Sequence, residues 1–200
     1  MGLEFDCLFG QTALEEEEKD GLKISTISNK GELDEFEQKN IEQAIQWTIG
    51  RKIKLNLLMS DTFVKSLHKR MYNGVWKWAG EFRKSEKNIG VESWRIPTEL
   101  RVLIDDTKYW IANNTFPEDE IAIRFKHRIV TIHCFPNGNG RHSRLMGDLI
   151  AEKIFQRNVF TWGQSKSSLT NASNARVEYL KALKKADKGD FLDLITFARS

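Results

Sequence analysis

Residues 117–133 read PEDEIAIRFKHRIVTIH, and within them Ile121, Phe125, Ile129 and Ile132 recur at i, i+4, i+8 and i+11, the spacing of one apolar helix face. The helix cannot run on, because residues 134–140, CFPNGNG, crowd Pro, Gly and Asn together. Helical spacing then resumes in RLMGDLIAEKIF (144–155) through Leu145, Leu149, Ile150 and Ile154. A short rigid turn between two apolar-faced helices makes them packing neighbours, and this is the tightest constraint the chain places on its own fold. Thr115 and Glu118 have the spacing of a capping box for the first helix, which delivers His133 at its C-terminal end.

The rest of the chain follows the same period. In GELDEFEQKNIEQAIQWTI the residues Leu33, Phe36, Ile41, Ala44, Ile45 and Thr48 form a mainly apolar stripe. Ser60 or Asp61 caps a helix with Phe63, Val64, Leu67 and Met71 on one face, ending near Asn73-Gly74. PTELRVLIDDTKYWIANN gives another, through Leu100, Leu103, Ile104, Thr107 and Ile111, and VEYLKALKKADKGDFLDLITFA gives two more, broken at Gly189. Only GEFRKSEKNIGVESWRIP (80–97) departs from this, with Phe82, Ile89, Val91, Trp94 and Ile96 at strand-like intervals, which predicts an exposed hairpin. Trp76, Trp78, Trp94 and Trp110 all fall in segments whose pattern predicts burial. Residues 1–30, including the acid run Glu15–Glu18, read as a polar lead that wraps the surface, and residues 163–174 as a polar connector. The class is mainly α, in one domain with appendages.

Composition excludes more than it assigns. Thirty-one basic residues against 28 acidic ones leave a net charge of +3, too small to suggest nucleic-acid binding. Cys7 and Cys134 have no zinc or disulfide spacing, and His68, His127 and His142 share no metal spacing with His133. The acidic start and the lack of a long apolar run predict neither export nor membrane insertion, and so a cytoplasmic protein.

The turn itself carries chemistry. Asn137-Gly138-Asn139-Gly140 can adopt left-handed conformations that aim successive N–H groups at one point, an anion nest. It opens onto a helix N-terminus, whose unpaired N–H groups favour the same ligand. Arg141 and Arg144 lie near one face of that first turn and can fork phosphate oxygens, while His133 can accept a proton. Base, nest and two cations suit phosphoryl chemistry. The same letters also describe an ordinary helix–helix turn with a capping histidine, and Cys134 beside His133 has no third group to orient it as a nucleophile.

HCFPNGNGRHSR resembles the signature of the Fic family, H-x-F-x-[D/E]-G-N-G-R-x-x-R, with His133, Phe135, Gly138, Asn139, Gly140, Arg141 and Arg144 in place. LHKRMYNGVWKWAGEFRKSEKNIG resembles the family's upstream helix, WAGE turn and flap, and ARVEYLKALKKADKGD its closing helices. The likeness covers about residues 55–200; GELDEFEQKNIEQAIQW resembles the subgroup called mobile mystery protein B, which is bacterial and carried on mobile elements. It implies a Fic-type helical bundle with one short β-hairpin flap, preceded by an arm and helix over residues 1–54 with a regulatory role.

The resemblance further implies an adenylyltransferase that moves AMP from ATP to a Ser, Thr or Tyr hydroxyl of a protein, itself included, with release of pyrophosphate. His133 would be the base. Asn137, Gly138, Asn139, Gly140, Arg141 and Arg144 would hold the phosphates, Phe135 would anchor the loop, and Tyr179 and Asp187 would lie toward the adenosine. Lys84, Lys87, Asn88, Ile89 and Gly90 would form a flap that docks an extended target segment by strand addition. A neighbouring helix-turn-helix protein is an implied partner; membrane and nucleic acid are not. The family's metal position holds Asn137 instead of Asp or Glu, so Mg²⁺ would meet one neutral amide oxygen. Cys134 stands where proline is usual. SNKGEL (28–33) partly matches the family's inhibitory helix, which makes Glu32, or Glu35 one turn on, a candidate to pair with Arg144 and restrain ATP. Two alternatives stay open: a Doc-like kinase that transfers the γ-phosphoryl, and a toxin-type or adaptor module that binds nucleotide without turnover.

Overall fold

The computed structural model describes residues 19–163 and 172–200. The acid run Glu15–Glu18 and most of the polar connector lie outside them. The helices are α1 (Lys30–Thr48), α2 (Leu55–Leu58), α3 (Asp61–Tyr72), α4 (Ile96–Asn113), α5 (Glu118–Ile132), α6 (Asn139–Leu149), α7 (Ala172–Ala186) and α8 (Leu192–Arg199), with a 3₁₀ turn at Ser93–Arg95 and a π turn at Ile150–Ile154 continuing α6. The bundle is mainly α, as the periodicity predicts. α5 is its centre, packed between α4 and α6 and touched by α8; α1 lies on α3, and α7 pairs with α8. No described helix is long and apolar enough to cross a membrane.

Most helix faces follow the sequence pattern. Ile121, Phe125, Ile129 and Ile132 of α5 are buried, as are Phe63, Val64, Leu67 and Met71 of α3 and Leu100, Leu103, Ile104 and Thr107 of α4. Ser60 caps α3 by accepting from Phe63 N–H at 3.1 Å.

Four expectations fail. The stripe of α1 runs through Leu33, Glu37, Ile41, Ala44 and Thr48, while Phe36 and Ile45 face solvent; an acid takes the place given to an apolar residue because it has buried partners, described below. The capping box at Thr115 does not form: Pro117 is the N-cap, so Glu118 stands at the first helical position and reaches Arg157. Trp94 is 74% exposed. The segment 81–92 also contains no strand, its only regular feature being the 3₁₀ turn that follows. Among described residues the sole β-bridge joins Leu22 to Trp76, flanked by Lys23 N–H to Val75 O and Lys77 N–H to Gly21 O, each at 2.8 Å; it ties the end of the lead segment to the turn after α3.

Candidate active site

α5 stops at His133, which takes a left-handed conformation at φ 58° and ψ 59°. A non-glycine residue there costs roughly 1–2 kcal/mol, so something must hold it. Its carbonyl accepts from Arg83 Nε at 2.7 Å, and Cys134 O accepts from the Arg83 N–H at 3.0 Å. His133 is 5% exposed. Burial pushes the Cys134 thiol up to about 12, which keeps it protonated at neutral pH and removes it as a nucleophile.

The loop is then closed by its own side chains and propped from α3. Asn139 Oδ1 accepts from Phe135 N–H at 2.9 Å while its Nδ2 donates to Phe135 O at 2.7 Å, so this asparagine builds the loop, leaving its backbone to meet a ligand. Phe135 is fully buried, stacked on His68 with centroids 3.7 Å apart and edge-on to His142 at 5.2 Å. Gly80 N–H donates to His68 Nδ1 at 3.0 Å, which leaves the proton on Nε2 to donate to Asn137 O at 3.0 Å. Burial holds His68 well below the usual histidine range, so it stays neutral and its tautomer is fixed. Tyr72 Oη donates to Gly138 O at 3.4 Å.

Gly138, at φ 78°, is the N-cap of α6. A Cβ there would stand 2.4 Å from Tyr72 Cζ, so both conformation and space require glycine. The first carbonyl bond at this end is His142 N–H to Gly138 O at 2.9 Å; the N–H groups of Asn139, Gly140 and Arg141 precede it and have no intrahelical acceptor. A Cβ on Gly140 would meet nothing within 4 Å. There is thus open space beside Gly140 in the first turn of the helix, where the unbonded donors and the positive dipole pole favour an anion.

The two arginines differ. Arg141 donates through Nη2 to Glu37 Oε2 at 2.6 Å and lies over the Tyr72 ring at 5.3 Å. Glu37 is 1% exposed, and its other oxygen accepts from Trp76 Nε1 at 2.6 Å. Arg144, half-buried, makes no hydrogen bond or ion pair with the described residues, though its charge is felt at Lys126 and Asp148. One cation is pre-oriented and the other is available.

The remaining expected positions are only partly assembled here. Asn137 Oδ1 accepts from Gly138 N–H at 2.7 Å, so the amide oxygen is turned into the loop. No group of three His, Cys, Asp or Glu side chains suited to a metal ion occurs among the described residues. A neutral oxygen already engaged by Gly138 N–H fits Mg²⁺ poorly. Tyr179 Oη accepts from the fully buried Lys126, and the exposed Asp187 accepts from His127 Nε2 at 2.8 Å; both are thereby fastened to α5. Lys84, Asn88, Ile89 and Gly90 are exposed and Lys87 half-buried, in a flap whose Gly90 lies against His133. Glu32 accepts from Ser28 N–H at 2.7 Å, and Glu35 faces solvent; neither meets Arg144. The acid of α1 that reaches the loop is Glu37, and it takes Arg141. Sequence reasoning missed Glu37, His68, Tyr72 and Arg83. Only Glu37 left a signal, a lone charge between Leu33 and Ile41 on an apolar face.

A buried histidine at one helix end, a helix N-terminus at the next and an arginine with no ion pair among the described residues meet in one helix–loop–helix. Comparison with known proteins gives a family match: residues 58–151 match the family described as Fic/DOC. The protein adenylyltransferase Fic of Drosophila mojavensis is 27% identical over 149 residues, which cover 72% of this chain and 27% of the relative, so the chain spans about a quarter of that protein's length. Among solved structures, the N-terminal Fic domain of Bep8 from Bartonella sp. 1-1C is similar at TM-score 0.65 and 14% identity, covering 90% of each chain. BepC of Bartonella tribocorum, solved with AMPPNP bound, is similar at TM-score 0.62 and 16% identity over 92% of this chain and 97% of that one. At these identities the structural likeness establishes the fold.

Proposed function

We propose that the protein is a protein adenylyltransferase that uses ATP to modify a Ser, Thr or Tyr hydroxyl, on a target protein or on itself. The observation that carries this is the N-terminus of α6, where the N–H groups of Asn139, Gly140 and Arg141 and the guanidinium of Arg144 have no hydrogen-bond partner among the described residues. The adenylyltransferase name of the curated relatives and the bound nucleotide analogue of BepC support the same reading. His133 takes the proton of the target hydroxyl. The oxygen forms a bond to the α-phosphorus, the bond from that phosphorus to the α–β bridging oxygen breaks, and pyrophosphate leaves with the electron pair. Charge developing on the phosphates is met by the helix end and by Arg141 and Arg144, groups already in place before the reaction. Since Asn137 gives a metal so little, this protein-borne charge is the principal compensation the chain itself supplies.

Incubation with ATP labelled on the α- or the γ-phosphate, with cell lysate as acceptor, tests the reading. Label from the α-position on protein, abolished by His133→Ala, is expected. Label from the γ-position alone would make the protein a kinase, and no label beside measurable ATP binding would make it a binding module.

A further inference from the structure

One side chain holds the flap. Arg83 is 2% exposed; its Nε donates to His133 O at 2.7 Å, its Nη1 to Ser85 O at 2.9 Å and its Nη2 to Val91 O. Its backbone N–H reaches Cys134 O at 3.0 Å, and Val91 N–H reaches Ile132 O at 3.3 Å. Three successive carbonyls, those of Ile132, His133 and Cys134, are thus capped from the flap, while the guanidinium bridges Ser85 and Val91 across the flap's neck. The nearest carboxylate, Glu86, stands 3.6 Å away with its side chain 59% exposed. Carbonyl dipoles do most of the holding, and a planar, forked donor is what reaches the carbonyls of His133, Ser85 and Val91 at once.

Gly90 gives independent support. At φ 102°, a Cβ on it would lie 2.7 Å from His133 Cβ, 2.8 Å from Arg83 Nη2 and 3.2 Å from Ile132 O. The flap backbone is therefore seated on the Cβ of His133 with no space for a further carbon between, at a residue whose left-handed conformation needs support. With no strand pairing in residues 81–92, the flap has no ladder to set its shape, and the register between flap and histidine falls to Arg83.

We infer that Arg83 is the positioning residue for His133, locking flap residues 85–91 and the histidine backbone into one unit. A target segment laid along the flap is then delivered with its hydroxyl at a fixed height over the imidazole. This rests on His133 being the base. Arg83 acts only through His133 and the flap, so its loss lowers the rate of transfer and leaves ATP binding intact.

Arg83→Lys tests this in the full chain, with kcat and KM for ATP from α-label transfer, ATP Kd by calorimetry, and hydrogen exchange of the 84–92 amides. The expected result is a 10- to 100-fold lower kcat, KM and Kd for ATP within twofold of wild type, and faster exchange confined to 84–92. Gly90→Ala, on the exposed flap, should lower kcat in the same way should the lysine variant fold poorly, and methylguanidinium should restore part of the rate of Arg83→Ala. Unchanged kcat and exchange in both variants overturns the inference, as does a loss that appears in ATP Kd. If wild type transfers no α-label, the adenylyltransferase reading fails on its own; the exchange data then still decide whether Arg83 holds the flap to His133.

Discussion

Gly138 and Gly140 stand two residues apart, and the structure assigns them opposite sensitivities. Alanine at Gly138 must adopt φ near 78°, costing roughly 1–2 kcal/mol, and its Cβ would fall 2.4 Å from Tyr72 Cζ and 2.6 Å from Cε2 and Oη. Tyr72 is 1% exposed and packed on His68 with centroids 4.7 Å apart, so its ring cannot step aside freely; overpacking of this kind costs about 1–3 kcal/mol. Together these predict a loss of about 2–5 kcal/mol from a total of order 5–15 kcal/mol, read as a lower denaturation midpoint in guanidinium at unchanged slope. Alanine at Gly140 meets nothing and should leave the midpoint unchanged or raise it, since alanine favours a helical turn. It places a methyl on the open face, however, and should weaken ATP binding at least tenfold by calorimetry. The collision is isolated by a double-mutant cycle with Tyr72→Leu, which removes the far ring atoms and should return about 1–3 kcal/mol of coupling with Gly138→Ala. Equal destabilisation by the two alanines, or zero coupling to Tyr72, refutes the argument.

Acid should weaken the fold through His142. Burial holds it at about 4 against 6.5, so its neutral form is favoured on folding, and the stability this contributes is full above pH 6.5 and falls by about 3 kcal/mol as the pH drops to 4; urea midpoints should show it, less steeply in His142→Gln. Asp148 has the opposite sign, because burial raises it from 3.8 to about 6: its contribution is present at low pH and lost as pH rises through 6, so Asp148→Asn should gain stability at pH 8 relative to pH 5. Glu37→Ala strips a buried partner from Arg141 and Trp76 and should cost about 3 kcal/mol while changing KM for ATP, whereas Glu32→Ala and Glu35→Ala should leave KM within twofold; the reverse pattern would return the regulatory role to those two acids. Cys134 should resist iodoacetamide at pH 8 in the native protein, and native labelling found by peptide mass would contradict its burial.

What could be read from sequence was whatever a local period encodes. The faces of α3, α4 and α5 are carried by residues three and four apart, and the loop between α5 and α6 by Gly138 at φ 78°; Asn137, Asn139 and Gly140 do not take the left-handed conformations expected of a nest, because Asn139 and Gly140 already belong to α6. The misreadings of α1 and of the flap share one cause, in that the deciding partner lies far along the chain. Glu37 is buried because Arg141 stands 104 residues away, and the scoring of apolar letters shifted the stripe of α1 onto Phe36 instead. The alternating residues of the flap suggested a hairpin, yet its shape depends on a guanidinium that bonds a carbonyl 50 residues on. His68, without metal spacing, carried no signal for its work of fixing Asn137 O from 69 residues away.

The junction of α5 and α6 presents a problem in electrostatics that the flap solves. A helix C-terminus and a helix N-terminus separated by a few residues carry opposite partial charges, each equivalent to roughly half an elementary charge, and at close range the exposed carbonyls of the first would offset the pull of the second on an anion. Here the carbonyls of Ile132, His133 and Cys134 are all occupied from the flap segment, two of them by Arg83, which also brings a positive charge to the end of α5 where it is favourable. The donors at the start of α6 meet no acceptor among the described residues, and the space beside Gly140 is open. Glu37 holds Arg141 in one orientation, and Arg144 makes no hydrogen bond or ion pair with the described residues. The site's net positive field is therefore a difference: one helix end is neutralised, the other is not, and the residue that neutralises the first is the one that seats the flap on His133.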